Sequence, residues 1–306
     1  MPAQTISVVI CTWNRADMLD LTLQSMESLN TPKGWTWNVV VTNNNSTDET
    51  EAVIDKYLER LPLVKLFEPN AGKSHALNLS IREASGEFLV FTDDDVIVDP
   101  DWLVEYVNAI EENPDASYFG GRIIPNFEST PPKWIANNIA ELQGMIVVRE
   151  MGDQVFKYTE ETSPADLPYG ANMMIRKDVF GENPFDTRMG PRGKSLEVGE
   201  ETAFLNNLNQ EGHFGVWTPK AKVKHFVPAK RCSFKFFWQY YKSQGVVKSR
   251  VDNRKGFGFA FKNMLRIAKS TLAASVMRMT GNKNWLKNLK RSAIRWGQVR
   301  GPYTKR

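Results

Sequence analysis

The first 118 residues alternate between short apolar runs and amphipathic stretches, and this alternation constrains the fold more than any other feature. Apolar, often β-branched runs predict strands at residues 6–11, 37–42, 63–67 and 88–92. Apolar residues at helical spacing predict helices at residues 17–29, 46–61, 73–84 and 99–112. This order is typical of an α/β fold with a Rossmann-like, mostly parallel sheet and helices on both faces. Ligands of such sheets bind beyond the carboxyl ends of the strands.

Length and composition are those of an ordinary globular protein. The chain has 306 residues, of which 42% are hydrophobic and 24% charged, so a disordered chain is disfavoured. We find neither the roughly 18 consecutive apolar residues of a membrane span nor a signal peptide at residues 1–7. Cys11 and Cys232 are the only cysteines, so we expect no disulfide framework and a reducing, cytoplasmic setting.

Charge is distributed unevenly along the chain. Residues 256–306 contain 12 Lys or Arg and no Asp or Glu, whereas residues 1–255 contain 27 basic and 35 acidic side chains. We therefore expect two domains, residues 1–255 and a basic tail of residues 256–306, with Gly256 at the boundary. A basic tail on an acidic body indicates an anionic partner, either a membrane surface or a nucleic acid.

Three consecutive carboxylates follow the fourth predicted strand. Asp93, Asp94 and Asp95 come directly after the apolar residues 88–91. Burying three like charges without a counter-charge is costly. At a strand end they suit a hard divalent cation that carries a diphosphate. A solvated acidic turn would have the same sequence, so the triplet alone leaves both interpretations open.

The other strand ends in this half also finish in polar residues. The sequence is TWNR at residues 12–15, NNNSTD at 43–48 and NAGKSHALN at 70–78, followed by DDD at 93–95. In this order the four segments resemble the inverting glycosyltransferases of family 2, which have the GT-A fold. Their usual motifs are T-x-N-R, V-V-D-N-G-S-T-D-x-T, N-x-G-x-x-x-A-x-N and D-x-D. The resemblance covers roughly residues 5–245.

Later segments extend the resemblance. GANMMIRK at residues 170–177 is similar to the family's G-A-N-x-x-x-R segment, and FD at 185–186 with GEET at 199–202 is similar to its F-D…G-E-D segment. Pro219 and His225 have the spacing of its later P-x-x-x-x-x-H element, and Arg231 follows. The resemblance implies a nucleotide-sugar half at about residues 1–118 and an acceptor half at residues 119–255.

The resemblance also implies roles for individual residues. It places the divalent cation, Mn²⁺ or Mg²⁺, at Asp95, Asp93 and His225. It makes Glu201 the catalytic base, with Glu200 as the fallback, and it puts Gly170 and Asn172 on the acceptor side. The donor-binding residues that it implies are Thr12, Asn14, Arg15, Asn43, Asn45, Asn70, Lys73, Asp93 and Asp94.

Two departures from the family pattern and several alternatives stay open. Asn43 stands where the family usually has Asp, which puts the preference for a base in doubt because an amide both accepts and donates. Glu201 replaces the usual Asp of the family's E-D pair. Apart from the resemblance, Glu200 and Glu201 are also typical of a first helical turn. Lys73 also fits a solvated residue at a helix start, and His225 fits a structural histidine.

The basic tail is amphipathic. Phe261, Met264, Leu265, Ala268, Leu272 and Val276 recur at helical spacing, with Lys262, Arg266 and Lys269 to one side. This predicts a helix in a membrane interface, and the aromatic and basic residues between 285 and 296 suggest a second such segment. The alternative is a helix packed on the catalytic domain with a solvated basic face. The acidic body disfavours an extended nucleic-acid footprint, so we expect no nucleic-acid partner.

Together these features predict a metal-dependent, inverting transfer of a sugar from a nucleotide-sugar, with UDP as the expected nucleotide, to an acceptor hydroxyl. The acceptor would be a saccharide or lipid-linked saccharide of cell-surface polysaccharide or glycolipid assembly, at the inner membrane face. Two alternatives remain. A non-catalytic, membrane-tethered assembly factor would bind the nucleotide-sugar without needing Glu201. A nucleotidyltransferase would release pyrophosphate rather than a nucleoside diphosphate.

Overall fold

The structure is a computed structural model that describes residues 4–182, 184–187, 200–252, 256–282 and 284–301. Only the backbone is described for five residues within its helices, which are Glu200, Arg250, Val251, Asp252 and Phe257.

The described residues form nine strands and ten α-helices. The strands are β1 (Gln4–Thr12), β2 (Trp35–Asn43), β3 (Leu63–Phe67), β4 (Phe88–Thr92), β5 (Val96–Val98), β6 (Tyr118–Phe127), β7 (Lys157–Tyr158), β8 (Met173–Arg176) and β9 (Gly215–Val227). The helices are α1 (Ala16–Met26), α2 (Thr50–Tyr57), α3 (Lys73–Glu83), α4 (Trp102–Glu112), α5 (Lys133–Ala136), α6 (Ile139–Ile146), α7 (Glu200–Gln210), α8 (Phe234–Asp252), α9 (Phe257–Met279) and α10 (Trp285–Arg300).

All nine of these strands belong to one sheet. Its order is β3-β2-β1-β4-β8-β6-β9-β5, and β7 pairs with β9 beside this path. The pairs β3–β2, β2–β1 and β1–β4 are parallel, as the alternation of strands and helices predicts. Beyond β4 the sheet is mixed, because β8 pairs antiparallel with β4 and β6, while β6 and β9 are parallel. The carboxyl ends of β1, β2 and β4 therefore lie at one edge.

The sheet is covered by apolar side chains on both faces. Along β1, Ile6, Val8 and Ile10 belong to one buried cluster, whereas Val9 belongs to the other. Successive side chains of a strand point to opposite faces, so a strand buried on both sides is apolar at nearly every position. This explains why the first strands are continuous apolar runs. The α/β architecture predicted from the sequence is confirmed.

The predicted bounds of the first four strands and four helices lie within four residues of the observed ones. The third and fourth strands have the predicted bounds, and α3 ends one residue early. The five strands after residue 92, which are β5, β6, β7, β8 and β9, were not predicted. The strand β5 has only three residues, too few to give a periodic pattern, yet its pairing with β9 positions part of the site described below.

The chain divides into two compact units. One comprises Met1–Glu128 and Val147–Val227, and the other comprises Ser129–Ile146 and Pro228–Arg306. This division lies at residues 227 and 228, whereas the sequence placed the boundary at Gly256. The reason is that α10 packs against both α8 and α9, so α8 belongs with the basic tail. All the predicted site residues lie in the first unit.

The second unit also changes the interpretation of the tail. Helix α10 is the second amphipathic segment predicted from the sequence, but it packs between α8 and α9, and its Leu286 and Ala293 are fully buried. Within the described residues, no helix combines the length and the apolar character that crossing a membrane requires.

Candidate active site

The ends of β1 and β4 bring Thr12 and Arg15 to the aspartate triplet. The two strands are neighbours, with Ile10 opposite Thr92, so the residues that follow them meet. Thr12 Oγ1 donates a hydrogen bond of 2.8 Å to Asp94 Oδ2. The Arg15 guanidinium contacts two carboxylates, with its Nε 3.3 Å from Asp94 Oδ1 and its NH2 2.6 Å from Asp95 Oδ2.

Asp94 and Asp95 are both nearly inaccessible to solvent. Burial raises the pKa of Asp94 to about 7, and the negative charge of Asp95 acts in the same direction. The nearby Arg15 charge and the Thr12 hydrogen bond favour the ionised form and oppose this rise in pKa. The triplet is therefore neither a solvated acidic turn nor a set of unpaired charges, because Arg15 supplies the counter-charge that burial requires.

Asp93, Asp95 and His225 form a group that fits a divalent cation. One ligand atom from each lies within 4.8 Å of the other two. His225 reaches this position because β9 pairs antiparallel with β5, which places His225 opposite Val96 and next to Asp95. Its Nε2 lies 3.2 Å from Asp95 Oδ1, and its ring is buried. Two carboxylates and an imidazole suit Mn²⁺, and carboxylates alone suit Mg²⁺.

Lys73 lies between the aspartate triplet and the predicted base. Its Nζ is 3.0 Å from Asp93 Oδ1 and 3.1 Å from Glu201 Oε1. Helix α3 begins at Lys73, directly after Gly72, whose φ of 135° is one that favours glycine. The turn at Gly72 therefore directs Lys73 toward the carboxylates, and the lysine is not a solvated residue at a helix start.

Glu201 packs against Gly170. A Cβ on Gly170 would lie 2.4 Å from Glu201 Oε1. Any residue other than glycine at position 170 would therefore displace the Glu201 carboxylate. Glu201 lies in the first turn of α7, and only about an eighth of its side chain is exposed. The side chain of the fallback residue, Glu200, lies outside the described part of the chain.

Four asparagines predicted to bind the donor have local roles in the loops. Asn14 and Asn45 have positive φ values of 52° and 61°, which asparagine adopts more readily than most residues. Asn14 Oδ1 accepts a hydrogen bond from the Thr47 amide. Asn43 accepts from the Ser46 amide and donates to Glu51, and Asn70 donates to Glu68. These asparagines shape the loops around the strand ends.

Asn172, predicted on the acceptor side, is fully buried. Its Oδ1 accepts hydrogen bonds from Trp102 Nε1 and Tyr106 Oη at 2.8 and 2.7 Å. Its Nδ2 donates to the carbonyl oxygens of Arg122 and Ala221 at 2.9 and 3.0 Å. These four bonds use the full capacity of the amide. The structure thus gives Asn172 a role in holding α4, β6 and β9 together.

Two further asparagines were missed by the sequence analysis. Asn44 accepts from the Gly72 amide and donates to the carbonyl oxygen of Asn70, so it fixes the loop before α3. Asn78, the last residue of the N-x-G-x-x-x-A-x-N segment, exchanges two hydrogen bonds with the backbone of Phe185. Both asparagines lie in the segments that match the family motifs, but only the structure identifies their hydrogen-bond partners.

One family model matches the chain. The model described as "Glycosyl transferase family 2" matches residues 7–183, more than half of the chain. This range contains the aspartate triplet, Lys73 and Gly170, and it ends before Glu201 and His225.

Two curated relatives are similar over most of their length. The "Glucosyl-dolichyl phosphate glucuronosyltransferase" of Haloferax volcanii is 25% identical over 77% of this chain and 75% of its own length. The "Succinoglycan biosynthesis protein ExoM" of Rhizobium meliloti is 25% identical over 90% of this chain and 85% of its own length.

Two solved structures share the fold. The mannosyltransferase PcManGT from Pyrobaculum calidifontis, in complex with GDP-Man and Mn²⁺, has a TM-score of 0.61 and 17% identity over 97% of this chain and 87% of its own. Residues 1–349 of TarS from S. aureus, in complex with UDP-GlcNAc, have a TM-score of 0.56 and 16% identity over 96% of this chain and 90% of their own. The motifs, the sheet and the family match agree, and the chain belongs to glycosyl transferase family 2 as a glycosyltransferase with the GT-A fold.

Proposed function

We propose that this glycosyltransferase moves a sugar from a nucleoside diphosphate sugar, with UDP as the expected nucleotide, to an acceptor hydroxyl, with a divalent cation and with inversion. One observation carries the proposal. Lys73 Nζ joins Asp93, a residue of the candidate metal group, to Glu201, the candidate base, through contacts of 3.0 and 3.1 Å. One side chain, Lys73, thus contacts both the group that would hold the leaving diphosphate and the group that would accept a proton.

Asp93, Asp95 and His225 would hold the cation, which when bound supplies positive charge against the charge that develops on the leaving diphosphate. Arg15 already neutralises part of the buried charge of Asp94 and Asp95. Lys73 supplies a second positive charge on the side of Glu201, where it is placed to contact a donor phosphate. Contacts of this kind would hold the donor with its anomeric carbon toward Glu201.

Glu201 would act as the base of a single displacement. The acceptor oxygen forms a bond to the anomeric carbon while the bond from that carbon to the diphosphate oxygen breaks. The diphosphate leaves with the electron pair, and the proton of the acceptor hydroxyl passes to the Glu201 carboxylate. Attack on the face opposite the leaving group inverts the anomeric configuration. General base catalysis of this kind typically contributes about 10² to 10⁴ in rate.

The acceptor that we propose is a saccharide or lipid-linked saccharide of cell-surface polysaccharide or glycolipid assembly. The similarity to a glucosyl-dolichyl phosphate glucuronosyltransferase and to a succinoglycan biosynthesis protein supports this class of acceptor. We also propose that the chain works at the cytoplasmic face of a membrane. The basic, amphipathic sequence of residues 256–306 supports this location.

A panel of UDP- and GDP-sugars with Mn²⁺ or Mg²⁺ tests the donor. Both nucleotides belong in the panel because one structural relative is bound to UDP-GlcNAc and another to GDP-Man. The preferred donor is expected to raise the melting temperature by mass action, and turnover should release nucleoside diphosphate. Release of pyrophosphate from a nucleoside triphosphate would instead identify a nucleotidyltransferase and reject the proposal.

Substitution of Glu201 tests the base. Glu201→Gln is expected to lower kcat by about 10² to 10⁴ while leaving metal-dependent UDP binding within error of the unmodified chain. Glu211→Gln is the matched control, because this exposed carboxylate lies just beyond the other end of α7. Unchanged transfer by Glu201→Gln would move the role to Glu200. Unchanged transfer by both Glu201→Gln and Glu200→Gln would contradict the assignment of a base to this pair of residues.

Asp95→Asn and His225→Gln test the metal group. Each variant is expected to lose most of the rise in melting temperature that Mn²⁺ gives the unmodified chain. Asp55→Asn, an exposed aspartate that pairs with Lys65, is the control and should respond to Mn²⁺ as the unmodified chain does. An equal Mn²⁺ response in all of these chains would show that the ion binds elsewhere.

A further inference from the structure

Helix α9 buries mainly small and polar side chains and leaves most of its large apolar side chains exposed. The buried residues are Asn263, Ser270 and Ala274. Ser270 Oγ lies 2.8 Å from Ser292 Oγ of α10, and Asn288 of α10 donates to Met277 Sδ. The contact between α9 and α10 thus includes serine and asparagine side chains together with Met277. This is the reverse of the arrangement expected for a surface helix of a globular protein, which turns its apolar stripe inward.

The opposite face of α9 carries large apolar side chains in contact with solvent. At about 100° per residue, Phe261, Leu272 and Met279 point in nearly the same direction, about 180° from the buried Ser270. The exposed apolar face consists of six residues that are 45–80% exposed, namely Phe261, Met264, Leu265, Leu272, Val276 and Met279. An exposed apolar surface of this continuity marks an interaction site.

Basic residues border this face on one side. Lys262, Arg266 and Lys269 are all exposed and lie between the apolar face and the buried face. Residues 256–306 contain no Asp or Glu, so this part of the sequence supplies no negative charge to offset them. A helix with one apolar face flanked by lysine and arginine has the two properties that favour an anionic lipid surface, which are apolar burial and charge attraction.

Helix α10 lacks this exposed face. Its Leu286 and Ala293 are fully buried, and Ser292 faces α9. Two of its exposed basic residues are Lys287 and Arg291, and they belong to a helix that packs on the opposite side of α9 from the apolar face. The two predicted segments of the tail therefore differ. Helix α10 packs against α9, and of the two only α9 has exposed apolar side chains along one face.

We propose that the exposed apolar face of α9 is the docking surface of this enzyme for a membrane that contains anionic lipids. The six apolar side chains would enter the boundary between headgroups and acyl chains, and Lys262, Arg266 and Lys269 would remain at the level of the headgroups. A second copy of the chain fits this surface less well, because residues 256–306 of that copy offer no Asp or Glu to pair with Lys262, Arg266 and Lys269. The proposed function places the chain at a membrane through residues 256–306, and this proposal assigns the contact to one face of α9. It does not depend on the donor chemistry.

The first test changes apolar residues without changing charge. The unmodified chain is expected to cosediment with phosphatidylcholine vesicles that contain phosphatidylglycerol, and the double variant Leu265→Gln and Leu272→Gln should bind about tenfold more weakly or worse. The control is Leu21→Gln with Leu58→Gln, two leucines of the first unit that are 49% and 43% exposed. This control should bind vesicles as the unmodified chain does. Melting temperatures establish that all chains are folded.

The second test compares two double variants that change the net charge by the same amount at different positions. Lys262→Glu with Lys269→Glu should reduce binding to the phosphatidylglycerol vesicles far more than Lys287→Glu with Arg291→Glu, although both pairs change the net charge by the same amount. If vesicle binding depended only on the net charge of the chain, both double variants would lose binding equally. That result would contradict the proposal. Binding to vesicles of phosphatidylcholine alone should be weaker than binding to the mixed vesicles.

Three results would overturn the proposal. These are no vesicle binding by the unmodified chain, equal binding by the leucine variant of α9, and a change from dimer to monomer in that variant without a change in vesicle binding. The last result would identify a second copy of the chain as the occupant. The experiment uses no nucleotide or metal, so failure of the donor assignment leaves it unaffected. Diphosphate release without vesicles reports separately on the proposed function.

Discussion

Gly170 leaves the space that the carboxylate of Glu201 occupies. A Cβ at position 170 would lie 2.4 Å from Glu201 Oε1, so Gly170→Ala must displace the proposed base. We expect kcat to fall by about 10², since a displacement of the order of 1 Å can cost that much, while the affinity for UDP and metal stays unchanged. Gly181→Ala is the control, because a Cβ there has nothing within 4 Å. Equal loss of activity in both variants would show that the effect does not come from contact between position 170 and Glu201.

Asn172 stabilises the fold through four buried hydrogen bonds. Asn172→Ala leaves Trp102 Nε1 and Tyr106 Oη without their acceptor, and each unsatisfied buried group costs about 1–3 kcal/mol. We expect the free energy of unfolding to fall by about 3 kcal/mol in chemical denaturation. Asn108→Ala, on the exposed side of the same α4, should change it by less than about 0.5 kcal/mol. A stable Asn172→Ala chain with weakened acceptor binding would restore the acceptor-side role.

At the residue scale, the sequence identifies chemical types better than it identifies partners. The carboxylates at 93–95, Lys73, Glu201 and His225 are the residues that the motifs single out, and the structure brings them together. The asparagines behave differently, because an amide serves equally well as a ligand contact or as part of a turn. Only the fold distinguishes these uses, since the turns at Asn14 and Asn45 are defined by backbone angles that the letters do not reveal.

At the element scale, periodicity predicted the helices of the tail but not the faces that they bury. Both α9 and α10 have apolar residues at helical spacing, yet the residues that α9 buries are Asn263, Ser270 and Ala274. At the neighbouring contact of α10 with α8, Gly245 and Gly297 let the two backbones approach closely and leave no room for larger side chains. A hydrophobic pattern records which face is apolar, whereas packing also depends on how closely two backbones can approach.

Strand pairing is limited in the same way. The parallel pairs β1–β2 and β2–β3 follow from local alternation, because a single helix connects the two strands of each pair. The pair β1–β4 joins strands that are separated in sequence by β2 and β3. The antiparallel pairing of β5 with β9 joins residues more than a hundred positions apart. No local pattern contains that information, so the sequence could name His225 as a candidate ligand only through the family resemblance.

Gly297 tests the helix packing. A Cβ on Gly297 would lie 2.0 Å from the carbonyl oxygen of Lys242, a backbone atom of α8 that has little freedom to move. Gly297→Ala is therefore expected to reduce the free energy of unfolding by about 1–3 kcal/mol, the usual cost of overpacking. It should also accelerate hydrogen exchange in α8 and α10. Gly258→Ala, which has open space around its Cβ and lies in α9, should be neutral or stabilising. Similar stability of both variants would contradict the close contact.

At the scale of the whole molecule, charge and compactness divide the chain at different places. The net charge of residues 1–255 is −8, and that of residues 256–306 is +12. The compact units instead separate near residue 228, so α8 belongs with the basic tail and not with the sheet. Net charge follows composition, which is independent of packing. The tail is therefore part of a folded unit that contains α8, and it is not an independent appendage.

Deletion of residues 256–306 tests this organisation. The deletion removes α9 and α10, which leaves α8 without the helix that lies against the backbone at Lys242 and Val246. Tyr241 would also lose Lys290, whose Nζ lies 5.0 Å from the centre of its ring. Because Val246 and Tyr241 are buried in the full chain, we expect the shortened chain to expose apolar surface, to aggregate in size-exclusion chromatography and to unfold at a lower temperature.

This outcome separates two explanations for any loss of membrane binding on deletion. A chain that has lost its tail and aggregates cannot report on docking, whereas Leu265→Gln with Leu272→Gln leaves the buried side of α9 intact. If the shortened chain were monomeric and as stable as the full chain, α10 would contribute nothing to the packing of α8, and residues 256–306 would be a separable domain as composition suggests. We expect the opposite, because the glycines at 245 and 297 bring the backbones of α8 and α10 together more closely than any other residue type allows.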